Sequence, residues 1–280
     1  MKLKYLAILL ICSLITACSA NAVNPTDTVK SDDSPDSQAV APVELHVFAA
    51  ASLTETFEKI SKAFEAANPD IKVILTFDSS GTLKTQIQQG ADADLFVSAA
   101  QKQMNQLEAG NEANTESLDC VLKETRVNLL ENQVTLVVPT NNPAGVSSFA
   151  DLGTDKVNKI ALGNKDVPVG QYSEELLTNL GIWDAIQPKV TFGSNVKEVT
   201  TWVKEGVADC GIVYATDAFS AGLEIVDRAA GDLLKTKVIY PGAVLTNSKH
   251  VAEAKAFLDY LQTPEAQAVF EAVGFAIPDK

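Results

Sequence analysis

Histidine is almost missing from this chain, with only His46 and His250 in 280 residues. A serine nucleophile needs a base beside it, and imidazole is the commonest one. His46 falls inside a β-prone run and His250 just ahead of a late helical pattern, positions where a structural or exposed histidine is the ordinary outcome. No Gly-x-Ser-x-Gly elbow occurs either, so a hydrolase acting through Ser52 or Ser80 is a minor alternative. Asp92 and Asp94 flank a strand start, where a solvated turn is the simpler account than acid/base work. Cysteine is scarce as well, at four, with no Cys-x-x-Cys and no Cys/His cluster, which leaves zinc unsupported. Basic residues are outnumbered by 36 acids to 22, which excludes nucleic acid as a natural partner.

The amino-terminal segment reads as an address. Lys2 and Lys4 precede an apolar stretch from Leu6 to Ile15, too short to span a membrane as a mature helix. It ends in Ile15-Thr16-Ala17-Cys18, which resembles the lipobox of bacterial lipoproteins: residues 1–17 are then a signal peptide and Cys18 the lipidated new amino terminus. Ordinary secretion, with Cys18 incidental, is the other reading. Two lysines and no acids leave with such a signal, so the net charge moves from −14 to −16. Residues 18–42, rich in Ser, Asp, Asn, Ala and Pro, have almost nothing to bury and read as a disordered tether. Cys120 and Cys210 remain in the folded part, and the sequence leaves open whether they pair or stay as buried thiols.

Short apolar strands alternate with helical patterns from Val43 onward, which predicts an α/β fold with mainly parallel sheets. The pattern restarts after Gln133–Pro139, and a β-prone stretch at Thr236–Leu245 precedes two helices broken at Thr263-Pro264. Two strand-helix sets with a late return predict two lobes joined by crossing strands: residues 43–127 with 239–280, and residues 128–238. No internal repeat is visible.

A serine closes each of two strand-to-helix junctions, in Phe48-Ala49-Ala50-Ala51-Ser52-Leu53 and Asp78-Ser79-Ser80-Gly81-Thr82-Leu83. A helix amino terminus offers unpaired N–H donors and partial positive charge, so two that converge make an anion site without a cationic side chain. Each serine also has a plainer reading: Ser52-Leu53-Thr54-Glu55 matches a capping box, and Ser80 before Gly81 matches a turn. Lys84 and Lys197 lie nearby and read as solvent-facing helix residues.

Taken in order, these segments resemble the periplasmic molybdate-binding proteins of ABC transporters. The likeness rests on the two serine loops, Ala93-Asp94-Leu95-Phe96-Val97-Ser98-Ala99, Val167-Pro168-Val169-Gly170-Gln171-Tyr172, Asn195-Val196, Gly211-Ile212-Val213-Tyr214, Tyr240-Pro241 and Gly274-Phe275. The resemblance implies a two-lobed (type II) periplasmic-binding-protein fold closing on a tetrahedral oxyanion. It assigns donors to the hydroxyls of Ser52, Ser80 and Tyr214 and to the backbone N–H groups of Ala99, Val169 and Val196. It further implies molybdate or tungstate as ligand, no cofactor, a membrane permease as partner, a monomer, and an extracytoplasmic location with a lipid anchor. Sulfate or phosphate on the same fold is the alternative. A donor-only cage suits a fully deprotonated dianion, because a protonated phosphate would leave its O–H without an acceptor. Asp78 is the one carboxylate beside these loops, and the turn is expected to point it away.

Overall fold

In a computed structural model of the chain, residues 41–279 are described. The signal peptide 1–17, Cys18 and nearly all of the tether lie outside the described residues. The elements in chain order are β1 (Val43–Ala50), α1 (Thr54–Ala67), β2 (Ile71–Asp78), α2 (Ser80–Gln88), β3 (Leu95–Val97), α3 (Gln101–Leu107), β4 (Val127–Asn132) and β5 (Val134–Val138). Then come β6 (Ile160–Gly163), α4 (Pro168–Asn179), α5 (Trp183–Ile186), β7 (Val190–Gly193), α6 (Val196–Lys204), β8 (Cys210–Tyr214), α7 (Ala215–Ala221) and β9 (Glu224–Arg228). The chain ends through β10 (Val238–Val244), α8 (Val251–Tyr260) and α9 (Pro264–Glu271).

Two five-stranded sheets result, ordered β2-β1-β3-β10-β4 and β7-β6-β8-β5-β9. In each, the parallel strands β1, β2, β3 or β6, β7, β8 are joined by an antiparallel pair partner that arrives from elsewhere in the chain. Helices cover both faces, which is why the central strands β5, β8 and β10 are buried along their whole length rather than alternating. The first layer is closed by the carboxy-terminal helices: Phe57 and Phe64 of α1 meet Phe257 of α8 at ring distances of 6.3 and 5.0 Å, and Phe57 meets Phe270 of α9 at 6.0 Å.

The sheets place the lobe boundary differently from the sequence reading. β4 pairs with β10 in the first sheet, so the chain crosses at Gln133 rather than between residues 127 and 128, and it returns just before Val238. Residues 127–138 are one nearly unbroken β-prone run, and side-chain pattern does not say which sheet supplies the hydrogen bonds. Cys120 and Cys210 are unpaired, Cys210 lying within β8 of the second sheet and Cys120 beside α3 and the first. Burial pushes the Cys210 thiol up to about 12.

Candidate functional site

The carboxyl ends of β1, β2 and β3 and the helix starts that follow β6, β7 and β8 meet around one small cavity. Its wall is formed by Ala50, Ala51, Ser52, Asp78, Ser79, Ser80 and Ala99 from the first lobe and Val167, Pro168, Val196 and Tyr214 from the second. Its free volume is about 10 Å³, room for about one water molecule and far below the roughly 300–1,000 Å³ typical of drug-sized ligands. Depressions of about 570 Å³ occur elsewhere on the surface, but the converging donors are not in them.

Local structure removes the plainer readings of both serines. α1 is preceded by a 3-10 turn over Ala51–Leu53, and Leu53, not Ser52, occupies the cap position without a side-chain bond. Ser52 is therefore not a helix cap, and its Oγ lies 3.0 Å from the Tyr240 hydroxyl. At the second junction Ser79 does the capping, its Oγ accepting the Thr82 N–H at 3.1 Å, which leaves Ser80 as the first helical residue. Ser80 Oγ accepts the Ala99 N–H at 2.9 Å, so the Ser80 hydrogen is left for another acceptor. Ala99 thus lines the cavity while its N–H is taken up by Ser80.

In the second lobe, Pro168 opens α4 and Val169 follows as its second residue, where an N–H has no carbonyl within its own helix. Val169 is buried and is not itself among the residues that line the cavity, which from this loop are Val167 and Pro168. Val196 is the first residue of α6, whose cap is the Asn195 side chain accepting from Glu198. Tyr214 ends β8, is 1% exposed, and its ring packs edge-on against Tyr240 at 5.8 Å. Burial raises its pKa well above the usual tyrosine value, so the hydroxyl keeps its proton. Helices α2, α4 and α6 all present amino termini here, and no lysine or arginine lines the wall. The site offers hydroxyls, backbone N–H groups and partial positive charge, which is chemistry for holding an anion.

Asp78 is a residue of the cavity wall, and its Oδ1 accepts the N–H of Ser79 in the turn at 2.7 Å. One expectation is corrected: Lys197 is not a solvent-facing residue. Its Nζ bonds both carboxylate oxygens of Glu55 in α1 at 2.8 Å and lies 3.2 Å from buried Asp217 in α7, so it ties the lobes together beside Val196. Burial alone would lower the lysine's pKa, but Asp217 and Glu55 more than offset it and the pKa is raised. Asp217 moves the other way from a normal ion pair: burial outweighs the lysine and raises it to about 6. Asp92 is exposed and Asp94 buried, the latter accepting from the His46 N–H and Ser248 Oγ, so they form no acid/base pair. Among the described residues no group of three or more His, Cys, Asp or Glu could hold a metal ion, and no helix is long and apolar enough to cross a membrane.

Sequence reasoning passed over Asn132 and gave Tyr240 no role. Tyr240 lies in a strand buried throughout, where a phenol must find a partner, and that burial was the available signal.

A two-lobed α/β architecture with a small, donor-lined cavity between its sheets is that of a periplasmic binding protein, a carrier of solutes. The chain belongs to the family of bacterial extracellular solute-binding proteins, whose family model matches residues 45–276. The family serves substrate binding in transport and is not one of enzymes. The chain is 38% identical over 264 residues to the putative ABC transporter substrate-binding lipoprotein YvgL of Bacillus subtilis, covering 94% of this chain and 93% of the relative. It is 36% identical to the molybdate-binding protein ModA of Escherichia coli, covering 84% and 89%. Among solved structures it is similar to the substrate binding domain of a putative molybdenum ABC transporter from Clostridium difficile, at 36% identity and a TM-score of 0.62, covering 85% of this chain and all of that one.

Proposed function

We propose that this protein captures molybdate, and tungstate with it, outside the cytoplasm and delivers it to the membrane permease of an ABC transporter. The observation that carries this reading is the composition of the cavity wall: hydroxyls and helix amino termini from both lobes, gathered at one small cavity with no cationic side chain. Ser52, Ser80 and Tyr214 give hydroxyl donors, and the Val169 and Val196 N–H groups complete the set from the second lobe. The Ala99 N–H reaches the ion by leaving Ser80, or else serves by orienting it. Such donors satisfy all four oxygens of a proton-free dianion, and charge-assisted bonds with helix dipoles offset its desolvation. Sulfate has the same charge and shape but shorter bonds, so donors on opposite lobes would be stretched beyond normal hydrogen-bond length.

The lobes follow the two sheets, and ligand closes them. Cys18 holds the monomer to the membrane by its lipid, with the tether giving reach. The names of the molybdate-binding relatives support the ligand, and the relative named a lipoprotein supports the anchor.

Asp78 favours one other reading, hydrogenphosphate, because a carboxylate on the wall can accept a ligand proton. Titration calorimetry with molybdate, tungstate, sulfate and phosphate separates the two. Tight molybdate and tungstate binding with far weaker phosphate is the expected result, and phosphate binding as tight as molybdate would overturn the assignment.

A further inference from the structure

Asn132 stands at the end of β4, the last residue before the chain crosses to the second lobe. Its Oδ1 accepts the Gln133 N–H at 2.8 Å, and since a backbone N–H can only donate, the orientation of this amide is fixed. The Nδ2 group then faces two oxygens, Thr216 Oγ1 of α7 at 2.9 Å and the Tyr240 hydroxyl of β10 at 3.2 Å, and donates to both. The Tyr240 hydroxyl lies 3.0 Å from Ser52 Oγ, a bond in which either hydroxyl can donate, and with the amide bond accepted Tyr240 still has its own hydrogen to give. With Tyr240 as the donor, Ser52 accepts one bond and has its hydrogen left over, at the wall of the cavity. Asn132, Tyr240 and Ser52 are all buried, so water does not randomise the order.

We propose that Asn132 and Tyr240 are positioning residues that orient the Ser52 hydroxyl toward the cavity, Tyr240 donating to Ser52 and Ser52 donating to the bound oxyanion. The proposal rests on the oxyanion reading above and adds a preference: a serine whose hydrogen is directed at the ligand favours an unprotonated oxygen on the Ser52 side of the cage. It also links the ligand to the crossing strand, since the same amide holds Thr216 of the second lobe.

The test is a double-mutant cycle on the full-length protein, read by calorimetry with molybdate, with thermal melts to confirm folding. Tyr240→Phe should weaken molybdate binding about 10-fold when Ser52 is present and by less than about twofold in a Ser52→Ala background, because the tyrosine acts through the serine. Equal losses in both backgrounds, or no loss with Ser52 present, would overturn the proposal. Asn132→Asp reverses the relay by turning a donor into an acceptor, so it should weaken binding more than Tyr240→Phe does; an unchanged affinity would count against the relay. That variant also decides the matter if Tyr240→Phe does not fold. Should the unaltered protein bind sulfate or phosphate instead of molybdate, the ligand assignment falls and the same cycle, run on that anion, still judges the relay. Binding of none of these anions would overturn both.

Discussion

Gly81 is where the lobes come together backbone to backbone. It is the second residue of α2, and its N–H, which has no partner within its own helix, donates to Asp166 O of the opposite lobe at 3.0 Å. A Cβ added there would sit 2.3 Å from that oxygen and 2.9 Å from the carbon behind it. Carbon and oxygen normally stay well beyond 3 Å, so Gly81→Ala forces the lobes apart by about 1 Å at this point. Within its own lobe the alanine is harmless, since Gly81 is helical with no positive φ and alanine is the better helix former by up to about 1 kcal/mol. The substitution therefore separates closure from folding. Losing the cross-lobe hydrogen bond costs about 1 kcal/mol, and misplacing donors across the cavity adds about 1–3 kcal/mol, which together predict a roughly 30- to 700-fold weaker affinity. Calorimetry with molybdate measures the loss, and a melt without ligand should show an unchanged or slightly raised Tm. Affinity within about threefold of the parent, with Tm unchanged, would refute the idea that these backbones meet in the bound form. A large fall in the ligand-free Tm would instead make Gly81 a folding contact.

Other expectations follow from the same coordinates. Gly170→Ala is the contrasting case, because its Cβ would lie 2.3 Å from Gly163 O and 2.5 Å from Asn164 O within one lobe, so it should lower the ligand-free Tm in a thermal melt. Ser52→Ala removes a donor to the anion and should weaken molybdate binding by about 10- to 150-fold, as read by calorimetry. Asp217 has its carboxyl raised to about 6 from an ordinary 3.8, so its contribution to stability is fully present below about 4 and is lost as pH rises through 6. Urea unfolding should accordingly show the parent's stability relative to Asp217→Asn falling by about 3 kcal/mol between pH 4 and 7, and a constant difference would contradict the burial argument. Cys210, buried and with its thiol raised to about 12, should resist a thiol reagent in the folded protein and react only on unfolding, whereas half-buried Cys120 should react first.

Much of this was legible in the chain itself. Apolar strands alternating with helical patterns specify an α/β architecture, because burial on both faces of a parallel sheet demands that composition. Serines at strand-to-helix junctions, the Val167-Pro168-Val169 helix start and Asn195-Val196 mark places where backbone donors are left over, and such local features depend on residues near in sequence. The loop motifs in order were enough to name the family that the comparisons bear out.

What tertiary structure decided concerns partners distant in sequence. That Ser80 meets the Ala99 N–H of the next strand's end, and that Ser52 turns from its helix to Tyr240, 188 positions away, follows only from the packed strands. The same holds for β4, whose place in the first sheet is set by pairing with β10 and not by its own side chains. Lys197 looked like surface charge because its partners, Glu55 and Asp217, come from the opposite lobe and from a later helix. Propensity and pattern are local and so can be read along the chain, whereas the direction of a hydroxyl is fixed by whichever group packing brings against it.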